Sequence, residues 1–361
     1  MTARRDLPVV IVGGGPAGSV CARQLALHGH AVVLLERESG EGPRFGETCG
    51  PRLLRFLQER CGLSLPGELF APLERFHSAW GSDELDCRNH RLWSAGHGAI
   101  LDRTLFDAWL RAEAQRAGAE INCGTTMTGG EWRGDRWTLR CRDAAATRSV
   151  EAAFVVEATG RAASLGLFPD ATRLYADRLV SAVAEIAGSS PIPISALVES
   201  APTGWWYGAE LPTGRRVVAY FTDADLLATG SNVMARIDET KHLRQFAPEL
   251  DERSSFRITA ARTSIRRLLW RGAWLAIGDA ACSLDPLSGA GIERSVRDGF
   301  EAAEALHTFV AESTSEPLRN FAVARTKTFR DGLALRQKNY SYEKRWSDAP
   351  FWHRRSGQKA N

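Results

Sequence analysis

The sequence predicts an α/β fold in which a mostly parallel sheet is interrupted by a mainly antiparallel insertion and closed by C-terminal helices. Three observations carry this. The apolar run Val10-Ile11-Val12 leads through Gly13-Gly14-Gly15-Pro16-Ala17-Gly18 into a helical stretch from Ala17 to about His28, then into a second apolar run, Ala31 to Leu35. Residues 175–265 change to short strand patterns set apart by turn residues such as Pro212-Thr213-Gly214. A short buried strand, Trp274 to Asp279, then precedes a glycine-rich loop and a long helical pattern from Ile292.

In chain order, Gly13 permits a tight turn, Gly15 lets backbone N–H groups approach a pyrophosphate, and Gly18 lets the helix sit close on the strand. Pro16 and Ala17 open that helix, whose N-terminus offers partial positive charge, and Gly29 is placed to end it. The second strand ends on Glu36, an acid about twenty residues beyond the turn, where ribose hydroxyls find an acceptor. This unit is a dinucleotide site, Rossmann-like in pattern. It does not distinguish FAD from NAD.

A polar loop carrying Arg37, Arg44 and Glu47 follows, then a helix from Pro51 to Leu63. Alternating runs such as Arg75–Trp80 predict antiparallel strands between about 70 and 93. Asp102 caps a helix to about Ala117. Strands are expected at 120–123, 137–141 and 153–157, and in the insertion at 179–186, 204–210, 216–222 and 256–262. Helical patterning continues to about Lys338, and the tail from Tyr340 to Arg355 is rich in aromatic and basic residues. The expected organisation is a nucleotide domain in three parts (1–70, 96–172 and 266–312), a substrate domain at 71–95 and 173–265, and a C-terminal segment at 313–361.

Composition narrows the field. At 361 residues, 44% hydrophobic and 25% charged, the chain has the make-up of a soluble globular protein. A net charge of +3 is too small to argue for a nucleic-acid partner. Seven cysteines, at 21, 49, 61, 87, 123, 141 and 282, form no C-x-x-C pair and no zinc spacing, which suits reduced thiols in the cytoplasm. Met1 to Arg5 and the apolar run behind it imitate a secretory signal, but that run is the first strand. No stretch is long and apolar enough to suggest a membrane partner, and no repeat is evident.

Two further stretches point at the same cofactor. Glu157-Ala158-Thr159-Gly160-Arg161 is a strand end followed by small residues. Gly278-Asp279 ends another strand and places a carboxylate where ribityl hydroxyls can donate to it. The loop Pro286-Leu287-Ser288-Gly289-Ala290-Gly291 then opens a helix and directs N–H groups toward a flavin ring edge. Together these pieces resemble the two-domain FAD monooxygenase superfamily of GR2 type, which includes aromatic hydroxylases, FAD-dependent halogenases and geranylgeranyl-type reductases. The matching residues are Gly13–Gly18, Glu36, Arg103 in Asp102–Asp107, Ala158–Arg161, and Gly278 through Gly291. The resemblance implies that Glu36 binds the adenosine ribose, that Arg103 lies near the pyrophosphate or ribityl chain, and that Asp279 holds the ribityl chain. Glu157 stands where related families usually have Asp.

Within the superfamily, Arg44–Thr48 resembles a Gly-Glu-Ser/Thr segment, and Gly204–Pro212 loosely resembles a tryptophan-rich strand. Halogenases of this kind need a lysine beyond the first βαβ unit, and here the first lysine is Lys241. Leu287-Ser288-Gly289 also differs from their Ser-Ser-Gly halide site, so both features argue against halogenation. A reductase of isoprenoid tails requires an apolar tunnel, and Pro286–Gly289 is also reductase-like. The Gly-Glu segment, Trp205-Trp206-Tyr207, and the tail motifs Glu343–Trp346 and Pro350–Trp352 are similar to a smaller group. That group comprises the maturation flavoproteins that hydroxylate a peptidyl tryptophan in tryptophylquinone biogenesis.

The resemblance implies an FAD-dependent monooxygenase that uses O2 through a flavin C4a-hydroperoxide. Its partner would be an aromatic small molecule or a protein-bound tryptophan. No second glycine fingerprint is present, so electrons would come from transiently bound NAD(P)H or an external flavin reductase. Glu47, His77 and Glu210 are candidate bases, and Trp205, Trp206 and Tyr207 candidate pocket walls. Cys49 reads as a small apolar filler. A non-catalytic flavin-binding protein is the remaining alternative. The tail is expected to pack on its own domain rather than dock a partner.

Overall fold

The computed structural model describes residues 7–38, 46–89, 96–161, 165–188, 195–228 and 233–356. Val9–Val12, buried throughout, sits in the middle of a six-stranded sheet. Val32–Glu36 pairs parallel to it on one side and Phe154–Glu157 parallel on the other. Glu120–Cys123 and Trp274–Ala276 extend the parallel set, and Trp270–Arg271 adds an antiparallel edge. One face is covered by helices and the other by the three-stranded sheet Thr126–Trp132, Trp137–Arg142 and Thr147–Ala152, so these strands are continuous apolar runs rather than alternating ones. The strand order reverses at Val9–Val12, so a crevice opens beyond the strand ends Val12, Glu36 and Glu157.

The glycine loop fits there only because it lacks side chains. Gly13 has φ +112°, and a Cβ on it would lie 2.3 Å from the Ala158 carbonyl oxygen. A Cβ on Gly18 would lie 1.9 Å from the Gly13 carbonyl oxygen. The helices Pro16–Leu27 and Gly291–Glu312 cross at Gly299, where a Cβ would meet the Ala17 carbonyl oxygen at 2.2 Å.

The second lobe is one seven-stranded sheet. In order across it run Arg257–Ala260, Leu179–Ala187, Arg215–Asp223, Gly204–Glu210, Ala196–Ala201, Arg75–Ala79 and Asp86–Asn89. All neighbours are antiparallel except Ala196–Ala201 with Arg75–Ala79. The expected strands at 179–186, 204–210 and 216–222 are present, and the one expected at 256–262 is shorter. Ala196–Ala201 escapes sequence reading because it is buried along its whole length and shows no alternation. One face of this sheet is covered by Val233–Glu239 and Leu243–Phe246, which pack Ile237, Leu243 and Phe246 on Trp206 and Tyr220. The other face looks toward the nucleotide lobe.

The C-terminal helix Glu316–Tyr340 leads to a tail that packs on the same sheet. The Trp352 indole donates to the Ala201 carbonyl at 2.9 Å, and Arg355 grips Asp223 with two N–H groups. No described helix is long and apolar enough to cross a membrane.

Beneath the crevice, Glu157 is 1% exposed and ion-paired with Arg266, itself 2% exposed. Arg266 also donates to the carbonyls of Ala280 and Ala171 at 2.8 and 3.1 Å. The longer acid at 157 thus serves a structural pair. Arg266→Ala leaves a buried carboxylate unpaired and is expected to cost about 3–5 kcal/mol in a urea unfolding titration.

Candidate active site

Between the lobes lies a cavity of about 650 Å³, within the range that holds cofactor-sized ligands. The nucleotide lobe contributes Gly13, Gly15, Pro16, Ala17, Glu36, Arg37, Gly160, Asp279, Pro286, Gly289 and Gly291. Gly15, Gly160, Gly289 and Gly291 have open space where a Cβ would stand, so bare main chain faces the cavity at each. The helices starting at Pro16 and Gly291 have no side-chain cap, which leaves their first N–H groups for a ligand. This is the cradle an anionic, elongated dinucleotide requires, and FAD fits it. Glu36 and Asp279 would hold its ribose and ribityl hydroxyls, and the two helix starts its pyrophosphate and flavin edge.

The acids are held in place. Glu36 accepts from the Gly14 N–H at 2.6 Å and the Glu38 N–H at 2.9 Å. A carboxylate has further lone pairs for hydroxyl donors. Gly14 has no room for a side chain, since its Cβ would lie 2.9 Å from Arg111 Cδ and 3.0 Å from Glu36. Arg111 donates to the Gly14 carbonyl at 3.1 Å. Asp279 lies between Arg161, at 2.9 Å, and Arg294. Burial alone would raise its pKa, but the two guanidiniums bring it below its ordinary value. Arg161 also donates to the carbonyls of Ala261 and Leu284, so it ties the nucleotide lobe to the second sheet.

The second lobe supplies an apolar floor: Phe76, Val183, Val198, Trp205, Tyr207, Val217, Ala219 and Phe221. At the wall between floor and cradle stands Glu47. It is 1% exposed, and its Oε2 has no hydrogen-bond partner among the described residues. Burial pushes its carboxyl up to about 7, opposed by its own and Gly46's N–H groups and by the Arg103 charge. Arg103 is anchored by Asp107 at 3.1 Å and donates to the Gly46 carbonyl, also at 3.1 Å, fixing the loop that carries Glu47. Tyr207 lies near Glu47, and its hydroxyl reaches Thr48 at 3.4 Å.

Several expected residues lie elsewhere. Trp205 and Tyr207 line the cavity, but Trp206 is fully buried on the opposite face against Tyr220. Alternation along the strand sends Glu210 to that far side as well. His77 is next to the lining residue Phe76 and faces away, with burial lowering its pKa. Gly18, Gly278 and Ala290 do not line the cavity; Gly18 packs on the Gly13 carbonyl, Gly278 at φ +57° packs on the Ala17 Cβ, and Ala290 precedes the second helix. Arg44 lies outside the described residues. Sequence reading missed Asp107, Arg111, Arg161 and Arg294 as site-shaping groups. Of these, Asp107 and Arg161 stood inside the quoted motifs, and Asp107 is four residues past Arg103 on one helix face.

Two glycine substitutions separate binding from folding. Gly15→Val is expected to leave the unfolding midpoint of the cofactor-free protein unchanged while abolishing FAD retention, read from the visible flavin spectrum. Gly18→Ala is expected to lower the midpoint itself, because its Cβ collides with backbone.

Comparison with known proteins agrees with the cradle. A family model described as FAD binding domain matches residues 6–330. LodB of Marinomonas mediterranea, named as an FAD-dependent oxidoreductase, is 28% identical over 373 aligned positions covering 96% of each chain. The solved structure of QhpG, described as a peptidyl tryptophan dihydroxylase essential for tryptophylquinone cofactor biogenesis, is 25% identical. Its TM-score is 0.76, covering 98% of this chain and 80% of that one. The myxobacterial chondrochloren halogenase CndH shares the fold at TM-score 0.83 and 20% identity, covering 98% and 86%. The chain belongs to the FAD binding domain family and is an FAD-dependent oxidoreductase.

Proposed function

We propose that the protein is a monooxygenase that hydroxylates the indole ring of a tryptophan carried on a peptide or protein, during maturation of a tryptophylquinone cofactor. The observation that carries this reading is one buried carboxylate, Glu47, at the edge of a floor made of Phe76, Trp205, Tyr207 and Phe221. An electron-rich ring packs on such a floor through offset or edge contacts. The similarity to QhpG supports this substrate class, and the similarity to LodB supports FAD-dependent redox chemistry.

Bound FAD, reduced by NAD(P)H or a partner flavin reductase, supplies the oxygen activation with O2 as oxygen donor. The chain's own residues do the rest. The apolar floor excludes water. Glu47, buried at the cavity wall beside the Tyr207 hydroxyl, takes a proton from the substrate ring or its N–H as oxygen is delivered. Arg103 and the Gly46 N–H keep that carboxylate in place. No lysine is among the cavity-lining residues, and Lys241 is exposed, which supports hydroxylation over halogenation.

The test is mass spectrometry of a tryptophan-containing peptide or partner protein after aerobic turnover with reductant. A gain of oxygen on tryptophan is expected. A halide-dependent mass gain, a saturated isoprenoid product, or reductant consumption indifferent to every peptide would each overturn the reading. Turnover is expected to rise with pH through about 7, as Glu47 loses its proton. Glu47→Gln is expected to flatten that limb and lower kcat by roughly 10²–10⁴-fold.

A further inference from the structure

Eleven tryptophans are many for a chain of this length, and four of them form a row. Trp205 lines the FAD cavity. Its ring centroid is 6.3 Å from that of Trp80, Trp80 is 5.4 Å from Trp352, and Trp352 is 6.1 Å from Trp346. Trp346 is half-buried, so the row begins at the cavity and ends at the protein surface. Tyr340 adds a parallel bridge, 5.8 Å from both Trp80 and Trp352, and accepts the Trp205 indole N–H at 2.9 Å.

We propose that Trp205, Trp80, Trp352 and Trp346 form a path along which an electron hole leaves the flavin cavity for the surface. Each ring touches the next edge-on or tilted, and indoles are the most easily oxidised apolar side chains. The N–H protons of the three inner indoles are fixed on neutral acceptors: Trp205 on the Tyr340 hydroxyl, Trp80 on the Asn339 carbonyl at 3.0 Å, and Trp352 on the Ala201 carbonyl at 2.9 Å. None of these is a base strong enough to take the proton, so the charge moves as an electron alone. The Tyr340 hydroxyl also donates to Asp285 at 3.2 Å, a carboxylate available to a phenol that is oxidised. Trp206, adjacent to Trp205 in sequence, is on the other face and outside the row.

The balance is one electron. Trp205 gives an electron to a one-electron oxidant in the cavity, either photoexcited oxidised flavin or an oxygen species left by uncoupled turnover. Trp80 refills Trp205, Trp352 refills Trp80, and Trp346 refills Trp352. A soluble thiol or ascorbate then reduces Trp346 and releases its own proton to solvent. The device drains oxidising equivalents from an oxygenase cavity that failed to use them on substrate. It rests on the bound flavin and not on the identity of the substrate.

The experiment is transient absorption of the FAD-loaded protein after a blue-light pulse, with and without a thiol. Wild type is expected to show a long-lived tryptophan radical that the thiol shortens. Trp80→Phe combined with Tyr340→Phe, which removes both bridges, is expected to lose that long-lived signal, because the hole recombines from Trp205. Trp352→Phe and Trp346→Phe are expected to lose its response to thiol, while Trp132→Phe, in a separate aromatic cluster, keeps both. Trp346 is at the surface, so its replacement does not depend on core repacking. An unchanged radical lifetime and thiol response in Trp346→Phe, or in wild type no radical beyond prompt recombination, would overturn the path.

Discussion

The contact on which the rest depends is main chain against main chain, at Gly13 and Ala158. The carbonyl oxygen of Ala158 occupies the space a side chain at 13 would need. This approach brings the end of the first strand beside the end of Phe154–Glu157, two segments separated by most of the nucleotide domain in sequence. The Gly18 contact seats the first helix on the same spot, and Gly299 lets the last long helix cross it. Three distant pieces of chain therefore converge with little but backbone facing the crevice. A surface of that kind recognises phosphate and ring-edge acceptors by N–H groups, which is what separates this site from an ordinary apolar cleft.

The second constraint is the two-residue period of the antiparallel sheet. Along Gly204–Glu210, odd positions face the cavity and even positions face the core beneath Leu243 and Phe246. Trp205 and Trp206 are chemically identical and differ in role only through this phase. The same rule places Phe76 on the cavity and His77 off it. It makes one face of the sheet an aromatic floor and leaves its other face to hold the lobe together. Arg161 then joins floor and cradle, so the geometry between them is set by charge-assisted bonds rather than by the cavity contents alone.

How much of this was legible follows from the same physics. The glycine turn, Glu36 and the Gly278-Asp279 segment were legible because each is a local pattern whose residue types are dictated by backbone geometry. The phase of a strand relative to a cavity is not local. Two adjacent tryptophans announce a buried strand, yet only the partner strands decide which one faces inward. Ala196–Ala201 was hidden because burial on both faces erases alternation. Glu157 in place of the usual Asp has no local signal that explains it, because its partner Arg266 is more than a hundred residues away. The tail was legible in kind: its aromatic and basic residues match an aromatic and an acidic residue at the ends of the two central strands, Trp205 and Asp223.

Glu47 shows how such a fold holds a buried carboxyl group near its titration point. Its proton affinity is raised in the folded chain, from an ordinary value of 4.5 to about 7. The folded protein therefore binds a proton that the unfolded chain has already released across that window. The associated stability is fully present below pH 4.5 and declines as pH rises to about 7. By linkage the loss is on the order of 3 kcal/mol, a large fraction of a typical domain's stability. Arg103 and the Gly46 N–H limit it, since without them burial would push the group higher still. A carboxyl group buried and poised near neutrality beside an aromatic floor needs its loop pinned, and that pinning, from Asp107 through Arg103 to Gly46, joins the cofactor cradle to the aromatic floor.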